Sequence, residues 1–91
     1  MARIRMFTQR GCGSSDHARE LLTRKGIDFD EVDVTGSTVL REGMIALAGA
    51  STTPQIMLDG QPIGGADALD RLDRDGVLDS FGREYQETAW S

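Results

Sequence analysis

Residues 8–15, T-Q-R-G-C-G-S-S, carry the only cysteine of the chain and stand between two patterns of different period. Before them, Ile4, Met6 and Phe7 form an apolar, β-favouring run, with Arg3 and Arg5 alternating against Ile4 and Met6. After them, Ala18, Leu21 and Leu22 recur at helical spacing. Cys12 is therefore expected at a strand-to-helix turn, where Gly11 and Gly13 permit close approach of the backbone. The first amides of a helix have no intrahelical partners and carry the positive end of its dipole. A sulfur placed there is stabilised as thiolate, so its pKa falls and its reactivity rises. Cys12 is the candidate nucleophile.

The rest of the chain supplies a frame for that turn. Ser14 or Ser15 is expected to cap the first helix, Asp16 and Glu20 suit its first turns, and Gly26 after Lys25 ends it. Residues 29–34 alternate apolar and acidic side chains, which reads as a second strand. Strand, helix and strand within about 30 residues make a right-handed parallel crossover. A turn at Thr35, Gly36 and Ser37 opens a second helix running to about Ala48, with Leu40, Met44 and Leu47 on one stripe. Gly43 costs that helix about 1 kcal/mol relative to alanine. A polar loop then leads to Thr53-Pro54. Residues 55–58 and 61–63, joined by Asp59-Gly60, read as a hairpin, and Pro62 places its second arm at a sheet edge. Asp67 is expected to open a third helix carrying Leu69 and Leu72, which Asp75-Gly76 stops. Residues 77–85 read as a short fourth helix, and residues 86–91 as a tail that is polar apart from Trp90. The order βαβαββαα is an α/β plan with a small four-stranded mixed sheet flanked by helices, and 91 residues form one domain, 1–91.

Composition narrows the function. Apolar content of 38% with 27% charged residues reads as soluble and globular, and no apolar run has the length of a membrane span or a signal core. A net charge of -5 argues against nucleic acid as partner, because phosphate contacts need clustered Lys and Arg. One cysteine forms no internal disulfide, which fits a reducing compartment; the expectation is the cytoplasm, with no membrane partner. His17, beyond the first turn of its helix, reads as solvated surface, and Met6, Met44 and Met57 as core filling.

Three features taken together resemble the glutaredoxins of the thioredoxin-like superfamily. They are a Cys-x-x-Cys/Ser turn after the first strand (Cys12, Gly13, Ser14, Ser15), a T-x-P before the hairpin (Thr52, Thr53, Pro54), and a G-G-x-D after it (Gly64, Gly65, Ala66, Asp67). The similarity runs over residues 3–78. It implies a thioredoxin-like fold in which the Thr53-Pro54 bond is cis and lies against Cys12. It also implies a glutathione site. The Thr53 backbone would pair with the cysteinyl part of glutathione as an added strand does. Gly65 would allow close approach, the Ala66 and Asp67 amides would meet the γ-glutamyl carboxylate, and the Asp67 side chain the amino group.

The sequence departs from the family at three places around this site. The lysine that supports the thiolate and a glutathione carboxylate in family members is Gln9 here, leaving Arg10 and Arg41 as replacement cations. The aromatic inside the motif is Ser14, and the second cysteine of the dithiol type is Ser15. The insertion and the CGFS motif of the monothiol class are both missing. The chain thus resembles a small dithiol-type glutaredoxin with a monothiol site, with Gln9 and Ser14 among the expected glutathione contacts.

The resemblance implies a glutathione-dependent thiol–disulfide oxidoreductase that reduces protein–glutathione mixed disulfides through Cys12 alone. The alternative is an iron–sulfur carrier, in which Cys12 from each of two chains and two glutathiones ligate a [2Fe-2S] cluster in a bridged dimer. A third reading is a non-catalytic thioredoxin-fold module for protein contacts. The expected partners are glutathione and glutathionylated proteins, with the chain a monomer unless a cluster bridges two copies.

Overall fold

The computed structural model describes residues 2–81. Four strands form one sheet in the order β2-β1-β3-β4: β1 Ile4–Thr8, β2 Phe29–Asp33, β3 Gln55–Leu58 and β4 Gln61–Gly64. β1 is central. It runs parallel to β2, with Ile4 opposite Phe29 and Thr8 opposite Asp33, and antiparallel to β3, with Ile4 opposite Leu58 and Phe7 opposite Gln55. β3 and β4 form the expected hairpin around Asp59-Gly60, both of which take positive φ, and β4 with Pro62 is an edge strand. The thioredoxin-like glutaredoxin plan expected from the sequence is the one observed.

Alternation along β1 divides the core. Ile4 and Met6 pack with Ile56, with Ala18, Leu21 and Leu22 of α1 (Gly13–Arg24) and with Leu69 of α3 (Ala66–Arg74). Phe7 and Met57 point to the opposite face and pack with Val34 and with Met44 of α2 (Thr38–Ala48). A buried end of β1 is fixed from the side: the Thr8 hydroxyl donates to Glu31 Oε2 (2.8 Å), and Arg19 of α1 bridges Glu31 (2.6 Å) and Asp16 (2.8 Å).

Several expectations need correction. The first helix is not capped by Ser14 or Ser15. Cys12 is its N-cap in extended backbone, its carbonyl accepts the Asp16 N–H (3.1 Å), and both serines lie in the first turn. Asp67 does not open the third helix either; Gly65 is the N-cap, without a side-chain cap bond, and Asp67 lies inside the first turn. β2 ends at Asp33, one residue early, although Val34 is buried and its N–H still reaches the Thr8 carbonyl (2.9 Å). On α2 only Met44 is buried, while Leu40 and Leu47 are 41% and 54% exposed, because a single helix on that face covers a narrow strip of sheet. Ser37 caps α2 as expected, accepting the Leu40 N–H at 3.1 Å. His17, expected as solvated surface, is half exposed but pairs with Asp70 of α3 (2.9 Å), while Asp73 of α3 and Asp79 beyond it both meet Lys25 (2.6 and 3.0 Å). Residues 77–81 are helical, as expected for the fourth helix, with Leu78 in the core. Residues 82–85 of that expected helix, the tail 86–91 and Trp90 lie outside the described residues.

Candidate active site around Cys12

The turn that presents Cys12 is closed by a hydrogen bond from the Cys12 N–H to the Gln9 carbonyl (3.3 Å), with Gly11 in the left-handed region (φ 76°). A side chain is strained at that φ, so glycine is required there. The turn points Cys12 at the loop before β3. Its thiol donates to the Thr53 carbonyl (3.5 Å), and the Thr53 hydroxyl donates to the sulfur (3.4 Å). The Thr53-Pro54 bond is cis, and Thr53 lies against the cysteine as expected. The loop is braced from behind: buried Gln55 donates to the Thr52 carbonyl (2.8 Å) and hydroxyl (3.1 Å).

The Cys12 thiol is lowered to about 7, and the Ser15 hydroxyl is the first cause. The Thr53 hydroxyl comes next, then the Ser15 amide, with the Ser14 amide contributing less; partial burial opposes them all. The direction is the one the sequence implies, but its main source is different. Free amides at the helix start do help, yet a neutral hydroxyl three residues on supplies the largest share. Ser15 is fully buried, and its oxygen accepts the Gln9 N–H (3.4 Å), leaving its own hydrogen for the sulfur.

Beside Cys12 a groove is lined by Ser14, Thr52, Thr53, Pro54, Gln55, Gly65, Ala66 and Asp67. Gly65 is where the G-G turn meets the proline loop: a Cβ there would stand 3.3 Å from the Pro54 carbonyl oxygen. Six of the expected contact residues, Ser14, Thr53, Pro54, Gly65, Ala66 and Asp67, are thus brought together. Gln9 lies outside this lining. Arg41 of α2 holds it, donating to its amide oxygen (3.0 Å) and to the Ser51 carbonyl (3.3 Å), whereas Arg10 turns toward Asp33 (3.9 Å). The cation beside Gln9 is Arg41.

Comparison with known proteins decides the family. Residues 4–63 match the Glutaredoxin family model. Glutaredoxin 3 of Escherichia coli (strain K12) is 42% identical over 79 residues, covering 87% of this chain and 95% of its own. The chain belongs to the glutaredoxin family. A glutaredoxin of Pseudomonas aeruginosa is 38% identical over 81 residues, covering 89% of this chain and 96% of its own. The solution structure of glutaredoxin from Brucella melitensis superimposes with a TM-score of 0.73 at 38% identity, over 88% of this chain and 87% of that one. The crystal structure of a buckwheat glutaredoxin–glutathione complex has the same fold, with a TM-score of 0.78 at 21% identity over 91% of this chain and 78% of that one.

This glutaredoxin is therefore an oxidoreductase of the glutaredoxin type, and its sequence holds one cysteine. In the bridged arrangement a [2Fe-2S] cluster would take one cysteine from each of two chains and two glutathione sulfurs, and Cys12 is the ligand this chain would supply. Sequence reasoning missed the two hydroxyls on the sulfur and the Gln55 brace. The spacing of Ser15 from Cys12, three residues on a helix, was a usable signal for the first; nothing local announced the others.

Proposed function

We propose that this glutaredoxin reduces protein–glutathione mixed disulfides, using glutathione as reductant and Cys12 as its only redox sulfur. The observation that carries this is the placement of the Cys12 sulfur against Thr53, at one end of the groove that runs to Asp67. Glutathione seated there would pair with the Thr53 backbone and put its γ-glutamyl end at the start of α3. Free amides of Ala66 and Asp67 would meet its carboxylate, and the Asp67 carboxylate its ammonium. Arg41, fixed between Gln9 and Ser51, offers the cation for the glycyl carboxylate.

The Cys12 thiolate attacks the glutathione sulfur of the mixed disulfide. A Cys12–glutathione disulfide forms, the protein–glutathione bond breaks, and the protein leaves as thiolate to take up a proton. A second glutathione thiolate then attacks the glutathione sulfur of that intermediate, releasing oxidised glutathione and the Cys12 thiolate. Ser15 has no sulfur to contribute, so glutathione performs both the capture and the release. A lone thiol worked by glutathione suits the reducing cytoplasm.

Turnover of a glutathionylated protein with free glutathione tests this. The expected result is deglutathionylation, with Cys12–glutathione visible as an added mass when glutathione is limiting. Folded protein that accumulates no such adduct and releases no substrate would overturn it. The carrier reading would take Cys12 from each of two chains and two further sulfurs from glutathione.

A further inference from the structure

We propose that the Thr53 side-chain hydroxyl is a catalytic group in this glutaredoxin, donating a hydrogen bond to the Cys12 sulfur whenever that atom carries negative charge. The proposal needs only that Cys12 is the reacting sulfur, whatever thiol serves as reductant.

Thr53 contacts the sulfur in two ways. Its carbonyl accepts from the thiol at 3.5 Å, and its hydroxyl donates to the same atom at 3.4 Å. Loss of the thiol proton removes the first bond and leaves the carbonyl oxygen facing a negative sulfur, which is unfavourable. The hydroxyl is the donor that offsets this, and a hydrogen bond to an ionised acceptor is stronger than one to a neutral acceptor. Thr53 is β-branched, so few rotamers are lost in holding the donor in place.

Among the described residues no cation is hydrogen-bonded to the sulfur. Arg10 pairs with Asp33, Arg41 with the Gln9 and Ser51 oxygens, and Asp16 of α1 with Arg19; Asp67 of α3 lines the groove beyond Thr53. The groups that lower the Cys12 thiol are hydroxyls and amides, with Thr53 second after Ser15.

The consequence differs between the two halves of a disulfide exchange. When Cys12 attacks, its electron pair forms the new S–S bond and the departing sulfur takes the pair of the old one. Here the Thr53 hydrogen bond raises the thiolate fraction but blunts its nucleophilicity. When an incoming thiolate breaks the mixed disulfide, the pair of the cleaved bond stays on Cys12, and the hydroxyl meets charge as it develops. A better-stabilised thiolate leaves faster.

Alkylation of Cys12 by iodoacetamide as a function of pH tests this without glutathione, so failure of the glutathione reading leaves its result intact. Thr53→Val keeps the branched shape and removes the hydroxyl. Its alkylation midpoint should move up by about one pH unit, the size of one hydrogen bond to a charged group. Thiolate fraction and nucleophilicity change in opposite senses, so the two rate profiles should cross. The variant should react roughly threefold slower at pH 6 and roughly threefold faster at pH 10. Thr53→Ser, which retains the hydroxyl, should follow the parent chain. An unchanged midpoint in folded Thr53→Val overturns the proposal, and so does an equal shift in Thr53→Ser, which retains the hydroxyl and would show that any change of the side chain moves the midpoint. Should Thr53→Val fail to fold, Thr53→Ala against Thr53→Ser isolates the same oxygen; equal midpoints in that pair overturn the proposal too.

Discussion

Arg41 reaches from α2 to the end of β1, where its guanidinium donates to the Gln9 amide oxygen at 3.0 Å. A second donor of the same guanidinium meets the Ser51 carbonyl at 3.3 Å, so one side chain ties the turn before Cys12 to the loop before Thr53. The family's lysine position is filled by a pair, an amide in the turn and a cation from another element.

That division of labour separates two measurements. Arg41→Met should raise the Michaelis constant for glutathione by roughly tenfold, the loss of one charge-assisted contact to a carboxylate. The pH midpoint of Cys12 alkylation should stay where it is, since the main groups that lower the thiol are the Ser15 and Thr53 hydroxyls and the helix-start amides. A shifted midpoint would assign Arg41 to the sulfur instead.

Asp67 gives a second separation. It sits in the first turn of α3 but is not the cap, so Asp67→Asn removes only its interaction with the helix dipole, about 0.3–1 kcal/mol. If its charge holds the amino group of glutathione, the loss there is larger, roughly ten- to a hundredfold in the Michaelis constant for glutathione. Melting should move little while that constant rises. Equal, small changes in both would leave Asp67 with no role in binding.

The pH dependence follows from Cys12, lowered to about 7 by Ser15 first and Thr53 second. The folded chain favours the thiolate more than the unfolded chain does. This stability is absent well below pH 7, grows as pH rises through 7, and is complete above the unfolded thiol value of about 8.5. The melting temperature of the reduced chain, referred to Cys12→Ser, should therefore rise between pH 6 and pH 9. Ser15→Ala should move the alkylation midpoint up and flatten that rise. A parent-minus-variant difference that falls with pH would contradict the assignment.

The asymmetric cover of the sheet makes a contrast on α2. Met44 is fully buried in the cluster with Phe7, Val34 and Met57, and Met44→Ala should cost about 2–5 kcal/mol in denaturant unfolding. Leu47, one turn away, is half exposed, and Leu47→Ser should stay within about 0.5 kcal/mol. Similar losses at both positions would mean that α2 buries a wider face than it does here.

What the sequence made legible was period and punctuation. Alternation at Ile4 and Met6, the Asp59-Gly60 turn and the edge proline Pro62 were each sufficient to place a strand or its limit, because each acts through its own backbone. Caps at Cys12 and Gly65 escaped because the preceding turn, rather than the preferred capping residue, decides where a helix begins. Leu40 and Leu47 escaped for a related reason: spacing reports which face is apolar and says nothing of how much sheet lies beneath it. At the site, the motifs marked Thr53, Gly65 and Asp67 correctly as neighbours of Cys12 or of its groove. The hydroxyl contact between Thr53 and Cys12 joins residues 41 apart, and no local pattern carries it.

Ser15 occupies the buried position one helical turn beyond the nucleophile, where a thiol would give Cys12 an exit within the chain. With an alcohol there, a disulfide on Cys12 has no unimolecular path back to thiol, and its lifetime is set by whatever thiol is dissolved around it. If Cys12 exchanges with dissolved thiols as proposed, the fraction of it held in disulfide form would follow the surrounding ratio of oxidised to reduced thiol. A cell's thiol supply would thus fix how long each captured sulfur is kept.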